Sequence, residues 1–414
     1  MSKRVQASVL KFNLSPLVGI FLTVFIDLLG FGLFIPDLQL RGREFGASGI
    51  LLGFALGSFS LAQLVTAPLL GRISDVYGRR RVLLITTLLS LIAYVIYAHA
   101  TGIWWVVGSR IVSGIAAANV GVAFAYVADI TSPEERAGGM GVVGAAFGLG
   151  FVLGPGIGAA LLVAGHNHPL VLGYTGAALA AINYFYVLLI LPDSAQHQAE
   201  AGGHYLENFV KAFRTRGLAV MLLMFFAAQL GFTNLESTFF QLLAKKNWIY
   251  SLGEIGARNA GAIILTLVGV VMVFMQGYLV RKLSPKYGEV NLLRFAYFGM
   301  VPSLALAPYL PLWIPMLCGV VFLGTCTGLA QPSLSSLISR SAARDMQGGV
   351  LGVNQALGAL ARFLGPLVSN WLFVRQPYYP YVLGAAILVL PASLAWTLHQ
   401  PHSESLQAEA AAEA

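Results

Sequence analysis

The chain alternates long uncharged apolar runs with short charged connections. A helix that crosses hydrocarbon needs about 20 apolar residues. Twelve segments meet that requirement: 14–36, 46–70, 82–100, 103–128, 137–164, 170–191, 217–243, 256–280, 291–309, 312–338, 348–374 and 379–399. Most connections are a few residues long, so neighbouring helices should run antiparallel. One longer polar stretch, 192–216, separates six segments from six. The pattern predicts an all-α membrane protein of 12 transmembrane helices in two six-helix halves. Its parts are residues 1–191, a linker at 192–216, residues 217–399 and a tail at 400–414.

Composition supports a lipid solvent: 57% of residues are hydrophobic and 10% charged, against about 25% charged in soluble domains. The net charge of +8 would suit nucleic acid only if it formed one basic face, and it lies instead at helix ends. With the N-terminus cytoplasmic, connections on that side hold 17 Lys and Arg and those opposite hold 6. Positive charge accumulates inside, so both termini are expected in the cytoplasm. Cys318 and Cys326 lie eight apart in one apolar run and read as small buried hydrophobes.

The halves repeat. Gly154-Pro155 in span 5 matches Gly365-Pro366 in span 11, and Gly138-x-x-Gly141 matches Gly349-x-x-Gly352, both at an offset of 211. Parallel six-helix repeats are a transporter architecture with the substrate site between them. Between spans 2 and 3 lies a charged hairpin, Gly71-Arg72-Ile73-Ser74-Asp75-Val76-Tyr77-Gly78-Arg79-Arg80-Arg81, with an expected echo at Gly277–Lys282.

That hairpin resembles the signature loop of the major facilitator superfamily, with Val76 where a basic residue usually follows the Asp. Arg110-Ile111-Val112-Ser113-Gly114 in span 4 resembles the Arg-x-x-x-Gly motif of proton-coupled members. The span 5 stretch Gly150 to Gly158, with Gly154-Pro155 inside it, resembles the antiporter motif. Asp27 to Pro36 is similar to the first span of the drug:proton antiporters, which include tetracycline exporters; those carry an acid in span 3 where this chain reads Ile92-Ala93-Tyr94. The resemblance implies the major facilitator fold and drug:proton antiport.

The charged positions then take roles. Gly71, Asp75, Gly78, Arg79 and Asp129 are candidates for a conformational latch. By the resemblance, Asp75 would reach the start of span 11 near Gly348–Gly349, where a helix N-terminus favours an anion. Arg79 would pair with Asp129. The plainer reading is a topology signal alone. Asp27 is the proton-coupling candidate, since an acid inside a span costs about 2.5–3.5 kcal/mol on insertion and faces a cavity or a partner. Counted from the outer helix ends, Asp27 and Arg110 lie at similar depths, about 13 and 10 Å, so contact or a water bridge is expected. A fixed pair that only orients helices is the alternative.

Glu236, within Asn234-Leu235-Glu236-Ser237-Thr238, is a second acid for cationic substrate or a proton, or else a solvated mouth residue. Gln229 and Asn234 join Asp27, Glu236 and Arg362 as candidate cavity groups. Arg362 inside span 11 favours an anionic substrate group, or pairs with Glu236 or carbonyls. Gly150, Gly154, Pro155, Gly158, Gly365 and Pro366 are expected to give a tight, bendable interface between the halves.

No Walker loop, Gly-x-Ser-x-Gly elbow or Cys/His cluster occurs in the sequence. The expectation is therefore a non-enzymatic secondary transporter without cofactor or metal, acting on a small-molecule substrate and protons. It would work as a monomer in the lipid bilayer of a bacterial cytoplasmic membrane, with no nucleic-acid partner. The mode is proton-coupled antiport that exports small amphipathic, drug-like compounds by alternating access. Uncoupled, lipid or organic-anion export is the alternative transport reading, and a non-transporting receptor or scaffold is the alternative of another class.

Overall fold

The computed structural model describes residues 16–131, 136–165, 168–193, 213–245, 253–310, 313–341 and 347–398. A helix stands on each of the twelve predicted segments, and no strand occurs among the described residues. Ten helices are long and apolar enough to cross a membrane, while Tyr379–Leu394 in span 12 is apolar but 16 residues long. Span 8, Gly253–Phe274, continues through a π-helical turn at Met275–Leu279 into Val280–Tyr287. Most of the expected linker lies outside the described residues. The chain is an integral membrane protein whose described regular elements are all helices.

Two spans are interrupted. Span 1 consists of Pro16–Leu33 and Ile35–Glu44, because Pro36 near the start of the second helix cannot donate the backbone bond that would carry the first one on. Span 4 consists of Ile103–Ala117 and Val120–Ile130, with the break at Ala118–Asn119 and no proline nearby. Pro155 and Pro366 interrupt nothing: span 5, Arg136–Ala164, and span 11, Gln347–Arg375, run helical through them.

Most of the charged hairpin is helix. Span 2 extends over Gly49–Tyr77 and span 3 over Arg79–Ala98, so the turn is Gly78 alone, at φ +95° and ψ 143°. The same turn recurs at Gly288, φ +79°, between Tyr287 and span 9, Glu289–Leu306. The second-half echo is therefore Tyr287-Gly288 and not Gly277–Lys282, which falls in the π-helical turn and the helix after it. The Tyr-Gly pair at 77–78 and 287–288 was the available signal. A side chain is strained at such a φ by about 1–3 kcal/mol. Gly78→Val should therefore lower the thermal midpoint of the purified protein, whereas Gly71→Ala, where an added Cβ meets nothing, should leave it unchanged.

One hydrophobic core consists of residues 218–395 together with Leu40, and three smaller ones lie within residues 20–191. Three of the span 5 glycines, Gly150, Gly154 and Gly158, do not face the other half as their spacing suggested. Gly150, Gly154 and Gly158 all back onto span 1 of the same half, where an added Cβ would run into Phe25–Leu28, Gly32 and the Leu33 carbonyl. Gly365 likewise backs onto Thr233 of span 7, Arg216–Lys245. Between halves, Gly156 meets Thr266 of span 8, and Gly53 and Gly57 of span 2 meet span 11 at Pro366 and Phe363. A small-residue stripe shows that some backbone comes close, without naming which. Cys318 is exposed rather than buried, and Cys326 is buried as expected.

Candidate functional site

Asp27 is buried in span 1 and receives two amides. Asn119 Nδ2 donates to its Oδ2 at 2.6 Å and Asn183 Nδ2 to its Oδ1 at 3.2 Å. The same Asn119 amide reaches Thr86 Oγ1 at 3.2 Å, and that of Asn183 reaches the Thr23 carbonyl at 3.3 Å. Both asparagines are buried, and the Oδ1 of each has no hydrogen-bond partner among the described residues. Asn119 stands at the break in span 4. Neither asparagine was singled out in the sequence; the available signal was an amide inside an apolar run.

Arg110 is not the partner of Asp27. Its guanidinium lies beside the packed rings of Phe31 and Phe59, 5.0 and 4.7 Å from their centroids, which are 4.2 Å from each other. The amide that does reach Asp27 is nine residues further along span 4, about 13 Å at helical rise. Depths counted from helix ends missed this offset.

Arg110 instead lines a small pocket between the halves together with Glu236 of span 7 and Arg362 of span 11, beside Ser60, Thr233 and Ser237. Glu236 and Arg362 are near enough for each charge to act on the other. Glu236 also borders an apolar pocket with Pro155 and Phe232. Gln229 lines a separate pocket within the second half, with Phe225, Tyr297 and Gln331. Asn234 packs between helices: its Nδ2 donates to the Leu230 carbonyl at 2.8 Å and its Cβ side lies against Gly384 of span 12. Of the five expected cavity residues, Glu236 and Arg362 thus come together while Asp27, Gln229 and Asn234 lie apart from them, and Arg362 is the one that lines the large cavity.

That cavity, about 320 Å³, lies between spans 2, 4 and 11. Its walls are Gln63 to Asp75 of span 2, Ala117 to Phe124 around the break in span 4, and Gly349 to Arg362 of span 11. At the opposite end the bundle is shut. Gln39 of span 1 donates to the Glu236 carbonyl at 2.6 Å and accepts from the Phe240 N–H at 3.2 Å, and the Gly53 and Gly57 contacts draw span 2 onto span 11. Spans 2 and 11 therefore diverge towards the arginine-rich end.

This divergence decides the state of the latch residues. Asp75 faces the cavity with Gly349 and Gly352 on the far wall, and its ionic partner among the described residues is Arg79, one turn on. Arg79 also donates from Nε to Asp129 Oδ2 at 3.3 Å and from Nη1 to Ser74 Oγ at 2.6 Å. The Arg79–Asp129 pair expected from the sequence is present. Arg80 caps the end of span 6, Pro169–Leu189, by donating to the Val187 and Leu188 carbonyls.

A helical bundle with a cavity open at one end and closed by helix contacts at the other defines a membrane transporter caught facing one side. The chain belongs to the Major Facilitator Superfamily, whose family model matches residues 20–366. It is 28% identical over 377 residues to Multidrug resistance protein 2 of Bacillus subtilis, covering 90% of this chain and 92% of that protein. Against the class C Tetracycline resistance protein of Escherichia coli it is 29% identical over 392 residues, covering 91% and 96%. Among solved structures, that of the human organic anion transporter MFSD10 (TETRAN) superposes with a TM-score of 0.68 at 26% identity, covering 92% of this chain and 98% of that one.

Proposed function

We propose that this transporter is a proton-coupled antiporter exporting small amphipathic compounds by alternating access, as a monomer, from a bacterial cytoplasm. The arginine-rich end and both termini then face the cytoplasm, and the cavity is open to that side. The observation that carries the reading is Asp27: an acid buried in span 1, held by two neutral amides rather than a cation. Such a carboxyl group can take up or lose a proton without breaking an ion pair. Its amide partner Asn119 sits at the helix break whose flanking residues Ala118 and Val120 line the cavity, so a change at Asp27 has a short path to the substrate wall.

Relatives named for multidrug and tetracycline resistance support a drug-like substrate. Protonation of Asp27 from outside would release substrate there, and loss of the proton towards the cytoplasm would readmit it. In proteoliposomes, an imposed proton gradient should drive uphill accumulation of a lipophilic dye, and a protonophore should collapse it. Accumulation that survives the protonophore would rule out coupling.

A further inference from the structure

The geometry points to an anion subsite at the head of the cavity, formed by Arg362 and Arg110 from opposite halves, which takes the carboxylate of an amphipathic organic acid. This assignment names the substrate class and rests on the transport reading above. Three observations carry it. First, the small pocket brings two guanidinium groups and one carboxylate, that of Glu236, into a buried interface, so a positive charge remains after Glu236 is counted. Two guanidinium groups facing one buried pocket attract an anion there more strongly than either would in water.

Second, the Arg110 guanidinium sits against one side of the Phe31–Phe59 ring pair, an apolar surface that offers it no acceptor. Its Nε is buried and has no hydrogen-bond partner among the described residues. A guanidinium donates in its plane, in a fork that matches a carboxylate. Third, Arg362 lines both the small pocket and the large cavity, so it is where a ligand entering from the open end reaches the charge cluster. The small pocket, about 30 Å³, has room for a head group alone. The apolar body would stay in the large cavity against Leu64, Ala118, Phe124 and Ala359. Glu236 then acts as the internal competitor for Arg362.

The test uses the full-length purified protein and three probes that share a naphthylmethyl body: 1-naphthylacetate, its neutral amide of the same shape, and 1-naphthylmethylamine. Wild type should bind the carboxylate about tenfold more tightly than the amide, the scale of one charge-assisted hydrogen bond. Arg362→Gln should erase that preference, Arg110→Gln should weaken it, and Arg362→Lys should restore part of it. Glu236→Gln should tighten carboxylate binding, a gain that misfolding cannot imitate. Equal binding of carboxylate and amide by wild type, or a preference that Arg362→Gln leaves intact, overturns the subsite. Proton-driven transport of the amine with no carboxylate preference would remove the subsite and leave the transport reading standing. Arg362-dependent carboxylate binding without any transport would do the reverse.

Discussion

Asp27→Asn should reduce proton-driven accumulation to background, a loss of tenfold or more, while passive exchange of substrate across the same membrane continues. The argument turns on hydrogen bonds. In the wild type, Asn119 and Asn183 both donate to the carboxylate, and the oxygen of each amide is left without a partner. An amide at position 27 can accept from one neighbour and donate to the orphaned oxygen of the other, so the cluster stays satisfied and the fold should hold to within about 1 kcal/mol. What it cannot do is exchange a proton. The variant is a permanent copy of the neutral state, and its exchange rate should lose the pH dependence that the wild type shows. Counterflow and gradient-driven uptake in the same proteoliposomes separate the two activities. If uptake against the gradient is undiminished in the variant, the coupling site lies elsewhere.

The parts of the fold that hydropathy controls were legible in the sequence. Each of the twelve segments carries a helix because a long apolar run in lipid must satisfy its backbone internally. Breaks within spans were less visible. Pro36 marks the one in span 1, but span 4 breaks at Ala118–Asn119 with nothing more than an asparagine to signal it. The partner of Asp27 was missed for a related reason. A search for opposite charge finds Arg110, whereas the carboxyl group is held by amides, which a charge count treats as neutral. The glycine series told that backbones approach closely, yet Gly154 and Gly158 approach span 1 and Gly53 approaches span 11; spacing along one helix does not specify the helix opposite. The Arg79–Asp129 pair was legible because both groups sit at helix ends on the same side, where few arrangements compete. Asp75 shows the remaining limit: its ionic partner among the described residues is Arg79, and any reach to the start of span 11 depends on how far spans 2 and 11 stand apart in a given conformation, which no sequence pattern states.

That conformational dependence gives the second large effect, at Gly53. At the closed end a Cβ on Gly53 would fall on the carbonyl of Pro366, and one on Gly57 would crowd Phe363. Gly53→Val therefore clashes in the present state. Once spans 2 and 11 separate at that end, as alternating access requires, the methyl groups are accommodated. Overpacking of this kind costs about 1–3 kcal/mol, which shifts a two-state equilibrium by about 5–150-fold. Spin labels at exposed Ser48 and Gln376, in a background with exposed Cys318 replaced by Ser, should report a longer distance in Gly53→Val than in the parent. Gly71 supplies the opposite sign. It lines the open cavity and an added Cβ there meets nothing, so Gly71→Val is free in this state and obstructs closure of the cavity. Its Ser48–Gln376 distance should stay short even when a proton gradient is applied. If Gly53→Val folds with an unchanged distance distribution, the contact between spans 2 and 11 is not the gate that closes this end.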